Sequence, residues 1–235
     1  MRFLHVDHKE VQDIEYFKRC IQSCKHIRHW FFLVIEIKYK YGLVLPETVL
    51  SYQDIGTNFL LLDKHHTHLE SIVVDGSGGR LEKILKENNF FNLKNLKLYR
   101  CFSYHSKLMK CSNLRVLKIM NCHLPYTYLI NLSDCVKNNF LELHIESDTV
   151  INNEHLLSVI NSFNGLRELT LTKMNGITPM FLLDVKHEKL KFIFIRICKH
   201  FNDKKSQDEL ESIKSSLSFT VHNDPKFIDK FKYAS

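Results

Sequence analysis

One hydrophobic pattern recurs along this chain at a nearly constant interval. Each copy has an apolar residue, two unconstrained positions, a second apolar residue, one unconstrained position and a third apolar residue. The six clearest copies are Leu69-Ile72-Val74, Leu93-Leu96-Leu98, Leu114-Leu117-Ile119, Phe140-Leu143-Ile145, Leu166-Leu169-Leu171 and Leu190-Ile193-Ile195. Their first residues lie 24, 21, 26, 26 and 24 positions apart. Apolar residues placed by chance would not keep such a period, so the pattern indicates a repeat protein.

Weaker copies of the triplet extend the array toward both ends. These are Met1-Leu4-Val6, Ile27-Trp30-Phe32 and Ser216-Phe219-Val221. One interval is irregular, because Ile27 and Leu69 are 42 residues apart. The sequence therefore predicts a single domain over residues 1–235, with an irregular insertion at about 38–52 and a C-terminal cap at about 222–235.

The segments between the triplets carry helical periodicity. Apolar residues in 11–24, 81–85, 129–136 and 156–163 recur at steps of three and four, which is typical of an amphipathic helix. Each repeat is then a strand followed by a helix, and intervals of 20–29 residues are typical of leucine-rich repeats. We expect an α/β fold: a leucine-rich-repeat solenoid of about eight or nine repeats, with parallel strands on the concave side and helices on the convex side.

Composition limits the class of protein and its compartment. Hydrophobic residues make up 44% and charged residues 25%, which excludes a disordered chain. The apolar stretch that begins at Trp30 meets Glu36 too early to cross a bilayer. The opening MRFLHVDHKE has no long apolar core, so no signal peptide is recognised. The cysteines number seven, which is odd. Together with the lack of a recognised signal peptide, this odd number predicts an intracellular, reducing compartment (cytoplasm or nucleus) and no internal disulfide.

The cysteines keep the same register as the triplets. Cys101, Cys122 and Cys198 each follow the start of a triplet by eight residues. The segments LKNLKLYRC (93–101), CSNLRVLKIMNC (111–122) and LKFIFIRIC (190–198) resemble the cysteine-containing leucine-rich repeats of F-box proteins. That resemblance implies a solenoid that selects the substrate of a cullin-type ubiquitin ligase.

The resemblance covers the repeats and does not extend to the F-box. In that family an F-box precedes the repeats and docks the ligase adaptor, whereas here the first triplet begins at Met1. Leu45-Pro46-Glu47 resembles the start of an F-box only weakly. Three interpretations stay open: an F-box protein without its box, a fragment, or a free-standing repeat adaptor.

Candidate catalytic and metal sites have simpler structural interpretations. The segment DGSGGR (75–80) lies between a predicted strand and helix, as a phosphate-binding loop does, but it lacks the Gly-Lys-Ser/Thr ending. We expect an ordinary turn there. His and Cys residues cluster at 65–68 and 20–29, without the convergent spacing typical of zinc. The sequence predicts no catalytic residue, no cofactor and no metal, and a protein that is not an enzyme.

The concave face is the predicted working surface. If the triplets point into the core, the alternate strand positions point outward. This places Lys97 beside Lys118 and Glu142 beside Glu168. Like charges in such positions favour a partner that neutralises them, and the alternative is that the long side chains splay apart into water. The residues predicted to bind a partner protein are Lys97, Tyr99, Lys118, Met120, Phe192, Phe194 and Arg196. For Phe192 and Phe194 the alternative is that the C-terminal tail from Pro225 onward folds over them as a cap.

The distribution of charge bears on the kind of partner. The formal net charge is +7, and residues 1–120 hold 19 Lys and Arg against 12 Asp and Glu. A protein partner with an acidic segment fits this excess, and ubiquitin-ligase components follow from the resemblance. The alternatives are a nucleic-acid-binding module that uses the basic N-terminal half and, more weakly, a nucleotide-binding enzyme that uses the glycine-rich turn. We expect no membrane partner.

Overall fold

The computed structural model describes residues 3–7, 19, 23, 26, 28–33, 48–55, 68–75, 90–100, 111–122, 126–136, 139–146 and 151–224. The chain is an α/β protein, and the described residues form one parallel sheet with helices beside it. The strands are β1 (Phe3–Asp7), β2 (His29–Leu33), β3 (Ser51–Ile55), β4 (Ser71–Asp75), β5 (Asn95–Tyr99), β6 (Val116–Met120), β7 (Glu142–Glu146), β8 (Glu168–Thr172), β9 (Phe192–Arg196) and β10 (Thr220–Asp224). The helices with both ends in the described part of the chain are α1 (Tyr126–Val136), α2 (Asn153–Ser162) and α3 (Lys204–Lys214), with 3₁₀ helices at Pro179–Asp184 and Lys199–Phe201.

The ten strands lie in the sheet in the order in which they occur in the chain. Every strand is parallel to the next, so each return of the chain requires a crossover connection. Equivalent triplet residues meet across the strands, for example Leu96 with Leu117 and Leu117 with Leu143. The spacing of the triplets therefore predicted the register correctly over β4–β9.

The triplets form the core together with the apolar faces of the helices. Their second and third residues are buried in every strand from β4 to β9. Leu129, Leu132 and Val136 of α1 belong to the same cluster, as do Leu156 and Ile160 of α2. The helical pattern predicted for 129–136 and 156–163 is thus confirmed. The pattern at 11–24 and 81–85 lies almost wholly outside the described residues.

The irregular interval contains a strand that the sequence analysis missed. β3 pairs with both β2 and β4, and Val49 and Tyr52 are fully buried. The interval of 42 residues is therefore two ordinary repeats, because Val49 lies 22 positions after Ile27 and 20 before Leu69. The predicted insertion at 38–52 is wrong at its C-terminal end, and 38–47 lie outside the described residues. The triplet went unrecognised because its third residue is Asp54.

The C-terminal boundary also differs from the prediction. β10 runs through Asp224, so residues 222–224 of the predicted cap are a strand paired with β9. Residues 225–235 lie outside the described part of the chain. No helix in that part is long and apolar enough to cross a membrane.

A left-handed residue ends four of the strands. Arg100, Asn121, Lys173 and Ile197 have φ between 50° and 55°, and each directly follows the last residue of its strand. Each of these residues directs its backbone N–H toward the next strand. The backbone N–H of Asn121, for example, donates to the carbonyl of Glu146 at 2.8 Å. This bond links neighbouring repeats beyond the ends of the ladders. Gly76 likewise directly follows the last residue of β4, but the glycine-rich segment 76–80 lies outside the described residues.

Candidate binding face of the sheet

The first, third and fifth residues of strands β4–β10 point away from the core, and we call this surface the open face. Parallel pairing aligns these residues in three rows that run across the strands. The third-position row reads Val73, Lys97, Lys118, His144, Thr170, Phe194 and His222. Lys97 and Lys118 are therefore direct neighbours, as are Glu142 and Glu168 in the first-position row. Both adjacencies match the sequence prediction.

The lysine pair is an electrostatically unfavourable spot on the open face. Burial lowers the pKa of Lys97, the neighbouring Lys118 lowers that pKa further, and Glu142 opposes the shift. Both effects disfavour the protonated ammonium, since burial strips it of water and a like charge repels it. A carboxylate from outside the chain would relieve this repulsion.

The fifth-position row is more enclosed than predicted, which corrects one assigned binding residue. Met120 is only 2% exposed, although the sequence placed it on the binding surface. It lies in register between Tyr99 and Glu146, and Glu146 is itself buried. Met120 packs within this row rather than offering a contact. Tyr99 keeps partial exposure.

Cations from the strand-ending turns cover the carboxylates of the fifth-position row. Arg100 donates from Nε and Nη2 to the two carboxylate oxygens of Asp75, at 2.7 and 2.6 Å. Lys173 donates to Glu146 at 2.8 Å. The hydrogen bond to Asp75 raises the pKa of Arg100. These pairs close the edge of the open face at Asp75 and Glu146, whereas Tyr99, Arg196 and Asp224 of the same row stay partly or fully exposed.

An aromatic cluster occupies the C-terminal end of the open face. The rings of Phe194 and His222 stack, with centroids 4.9 Å apart and planes 11° apart. Phe192 lies 6.2 Å from each of these rings. The guanidinium of Arg196 sits 5.6 Å from the centroid of Phe194. The sequence prediction grouped Phe192, Phe194 and Arg196 correctly and missed His222, which it had assigned to the cap.

The open face carries both signs of charge. Over β4–β10 it holds three cations, Lys97, Lys118 and Arg196, against five carboxylates, Asp75, Glu142, Glu146, Glu168 and Asp224. The basic excess counted in the N-terminal half of the sequence is therefore not an excess on this surface.

Cys111, Cys122 and Cys198 belong to the core. Burial raises the pKa of the Cys111 thiol to about 12 and that of Cys198 to about 11. The Cys198 thiol donates to the carbonyl of Leu171 at 3.7 Å, and that of Cys122 donates to Leu98 at 3.6 Å. Within the described ranges, no group of three or more His, Cys, Asp or Glu residues could hold a metal ion. The clusters at 65–67 and at Cys20 and Cys24 lie outside those ranges.

A comparison of the chain with protein-family models and with curated proteins finds no match.

Proposed function

We propose that this chain is a leucine-rich-repeat solenoid whose open face, on its concave side, binds a partner protein. The observation that carries the proposal is the ordered parallel sheet, which aligns outward side chains in rows across the strands. The first-position row is partly or fully exposed from β4 to β10, and the third-position row from β5 to β10. Stacked repeats build extended binding surfaces of this kind, because each repeat adds one strand and one set of outward residues. The work proposed is recognition, not catalysis.

The aromatic cluster supplies the anchor of the proposed interface. Phe192 and Phe194 are half-buried, and Arg196 lies against Phe194. Aromatic residues grouped with Arg dominate the binding energy of many protein interfaces, because the rings bury a large rigid area and the guanidinium donates hydrogen bonds. The lysine pair lies three strands away and offers a second, charged contact.

The charges of the open face favour a protein over a nucleic acid. Lys97 and Lys118 are the observation in favour of the alternative, a nucleic-acid-binding module. A polyanion that followed the third-position row from them would pass His144 and Thr170, with Glu142 and Glu168 of the first-position row on the same two strands, and these carboxylates repel phosphate. Arg100 and Lys173 already pair with Asp75 and Glu146, so three cations and three carboxylates remain on the open face. Nucleic-acid binding draws most of its affinity from phosphate contacts, and a face without excess positive charge is poorly suited to it.

Substrate selection for a cullin-type ubiquitin ligase is the more specific form of the proposal. It depends on the resemblance of the cysteine-containing repeats to those of F-box proteins. Cys122 and Cys198 support it, because both donate to carbonyls of the preceding repeat at the same position after a strand. Their buried thiols fit a reducing intracellular compartment.

Affinity capture with matched variants tests the proposal. The variant Phe194→Ala/Lys118→Glu alters the open face, and Met180→Ala/Lys204→Glu makes comparable changes at exposed positions on helices. We expect the first variant to lose a specific protein that the wild type and the control both retain, with thermal unfolding of all three chains measured in parallel. If the same proteins bind to all three, the open face is not the interface. Cullin-ligase subunits among the lost proteins would support the ligase role.

A further inference from the structure

A second surface lies beside the open face, where β9 and β10 begin. It is a shallow depression of about 710 Å³, and we call it the basic groove. Its floor is formed by Phe192, Leu217 and Phe219, and its rim carries the cations Arg167, Lys189 and Lys191 together with Glu188. Its volume is in the range of ligand-binding clefts, which span roughly 300–1,000 Å³.

The rim cations are exposed and have no ion-pair partner among the described residues. Lys94, Arg100 and Lys173, by contrast, each bind a carboxylate of a neighbouring repeat. Three cations line the groove against the single carboxylate of Glu188, so its lining carries a net positive charge. Such a concentration of one sign favours an occupant of the opposite sign.

The backbone holds the rim in place. The carbonyl of Arg167 accepts hydrogen bonds from the N–H groups of Lys191 and Phe192, at 2.8 and 3.1 Å. The carbonyl of Lys191 accepts from Thr220 at 2.9 Å. The backbones of Arg167 and Lys191 are therefore held in place directly before β8 and β9, and this fixes where their side chains leave the sheet.

From this arrangement we propose that the basic groove binds an acidic segment of the partner protein, in which carboxylates flank an apolar side chain. The apolar side chain contacts Phe192, Leu217 and Phe219, and the carboxylates pair with Arg167, Lys189 and Lys191. Because Phe192 belongs to both surfaces, the segment continues from the groove onto the aromatic cluster of the open face. This inference rests on the proposed function and specifies the chemistry of its partner.

A random-peptide display library, selected on the full chain, tests this assignment. We expect enriched peptides that carry Asp or Glu beside an aromatic or aliphatic residue. Binding of the enriched peptides, measured by fluorescence anisotropy, should weaken at least tenfold in Arg167→Glu/Lys191→Glu. The control Lys204→Glu/Lys205→Glu makes the same change of charge on α3 and should bind as the wild type does.

The outcomes separate this inference from the function on which it rests. Absence of enrichment, enrichment of peptides without acidic residues, or equal weakening in both variants would overturn the groove assignment. An oligodeoxythymidylate that displaces the peptides and binds more tightly would overturn it in favour of nucleic acid. If the Arg167→Glu/Lys191→Glu variant retains the protein that Phe194→Ala/Lys118→Glu loses, the groove assignment fails while the proposed function stands.

Discussion

Replacing Lys118 by Gln should stabilise the folded protein, because it removes the like-charged neighbour of Lys97. Adjacent strands lie about 4.8 Å apart, and long side chains splay beyond that distance. Two unit charges about 7 Å apart repel each other by about 0.6 kcal/mol in water, and by more where the dielectric constant is lower. This agrees with the range of about 0.2–1 kcal/mol for cross-strand pairs. We therefore expect the free energy of unfolding at neutral pH to rise by about 0.5 kcal/mol.

The dependence on pH follows from the direction of the Lys97 shift. The pKa of Lys97 is lowered in the folded protein, so between the folded and unfolded pKa values the unfolded chain binds more protons. The electrostatic penalty is complete below the folded pKa and is relieved as the pH rises toward the unfolded pKa. The stability difference between Lys118→Gln and the wild type should therefore be constant near neutral pH and shrink in alkaline solution.

Urea unfolding and NMR titration of the lysine side chains measure both effects. In Lys118→Gln the pKa of Lys97 should rise, and about 1 M salt should remove most of the gain in stability, because the Debye length is then about 3 Å. Lys94→Gln is the matched control: Lys94 binds Glu70 at 2.9 Å, so its loss should be neutral or slightly destabilising. An unchanged pKa of Lys97, with a gain that persists in salt, would refute the electrostatic explanation.

Three further predictions concern the core, the turns and the thiols. Leu169→Ala should lower the free energy of unfolding by about 2–5 kcal/mol, measured by chemical denaturation, because Leu169 is fully buried. Thr170→Ala, on the opposite face of the same strand, should change it by no more than about 0.5 kcal/mol. Equal losses in the two variants would contradict the assigned faces. Asn121→Val should lower the free energy of unfolding by about 1–2 kcal/mol because φ is 53° there, while Asn121→Gly should be nearly neutral; if Val is tolerated as well as Gly, the left-handed turn is absent in solution. The raised pKa values of Cys111 and Cys198 predict slow alkylation by iodoacetamide at about pH 8 in the native protein and rapid alkylation in urea. Mass spectrometry measures the extent of labelling. Fast labelling of the native protein would disprove the burial of these thiols.

The strand register was predictable because it depends on local spacing. A strand alternates its side chains between two faces, so an apolar triplet fixes which residues enter the core wherever the strand lies. Leu96, Leu117 and Leu143 consequently meet in the sheet as their positions in the repeat require. The same rule failed at β3, where Asp54 replaces the third apolar residue and the pairing with β2 and β4 decides the structure.

Burial on the open face depended on neighbouring strands and could not be derived from one repeat alone. Met120 has the alternation of an outward residue, and Tyr99 and Glu146 beside it enclose it. The charge count in the sequence pointed to the N-terminal half, whereas the unpaired cations of the basic groove, Arg167 and Lys191 among them, lie near the other end.

The sequence by itself determined the repeat, the inward face of each strand from β4 to β9 and the neighbours across the sheet. Backbone geometry imposes these features residue by residue. Only the tertiary structure decided which outward side chains stay accessible and which charges lack a partner. Accessibility and ion pairing depend on the packing of side chains from repeats about 20–29 residues apart, and no short stretch of sequence contains that information.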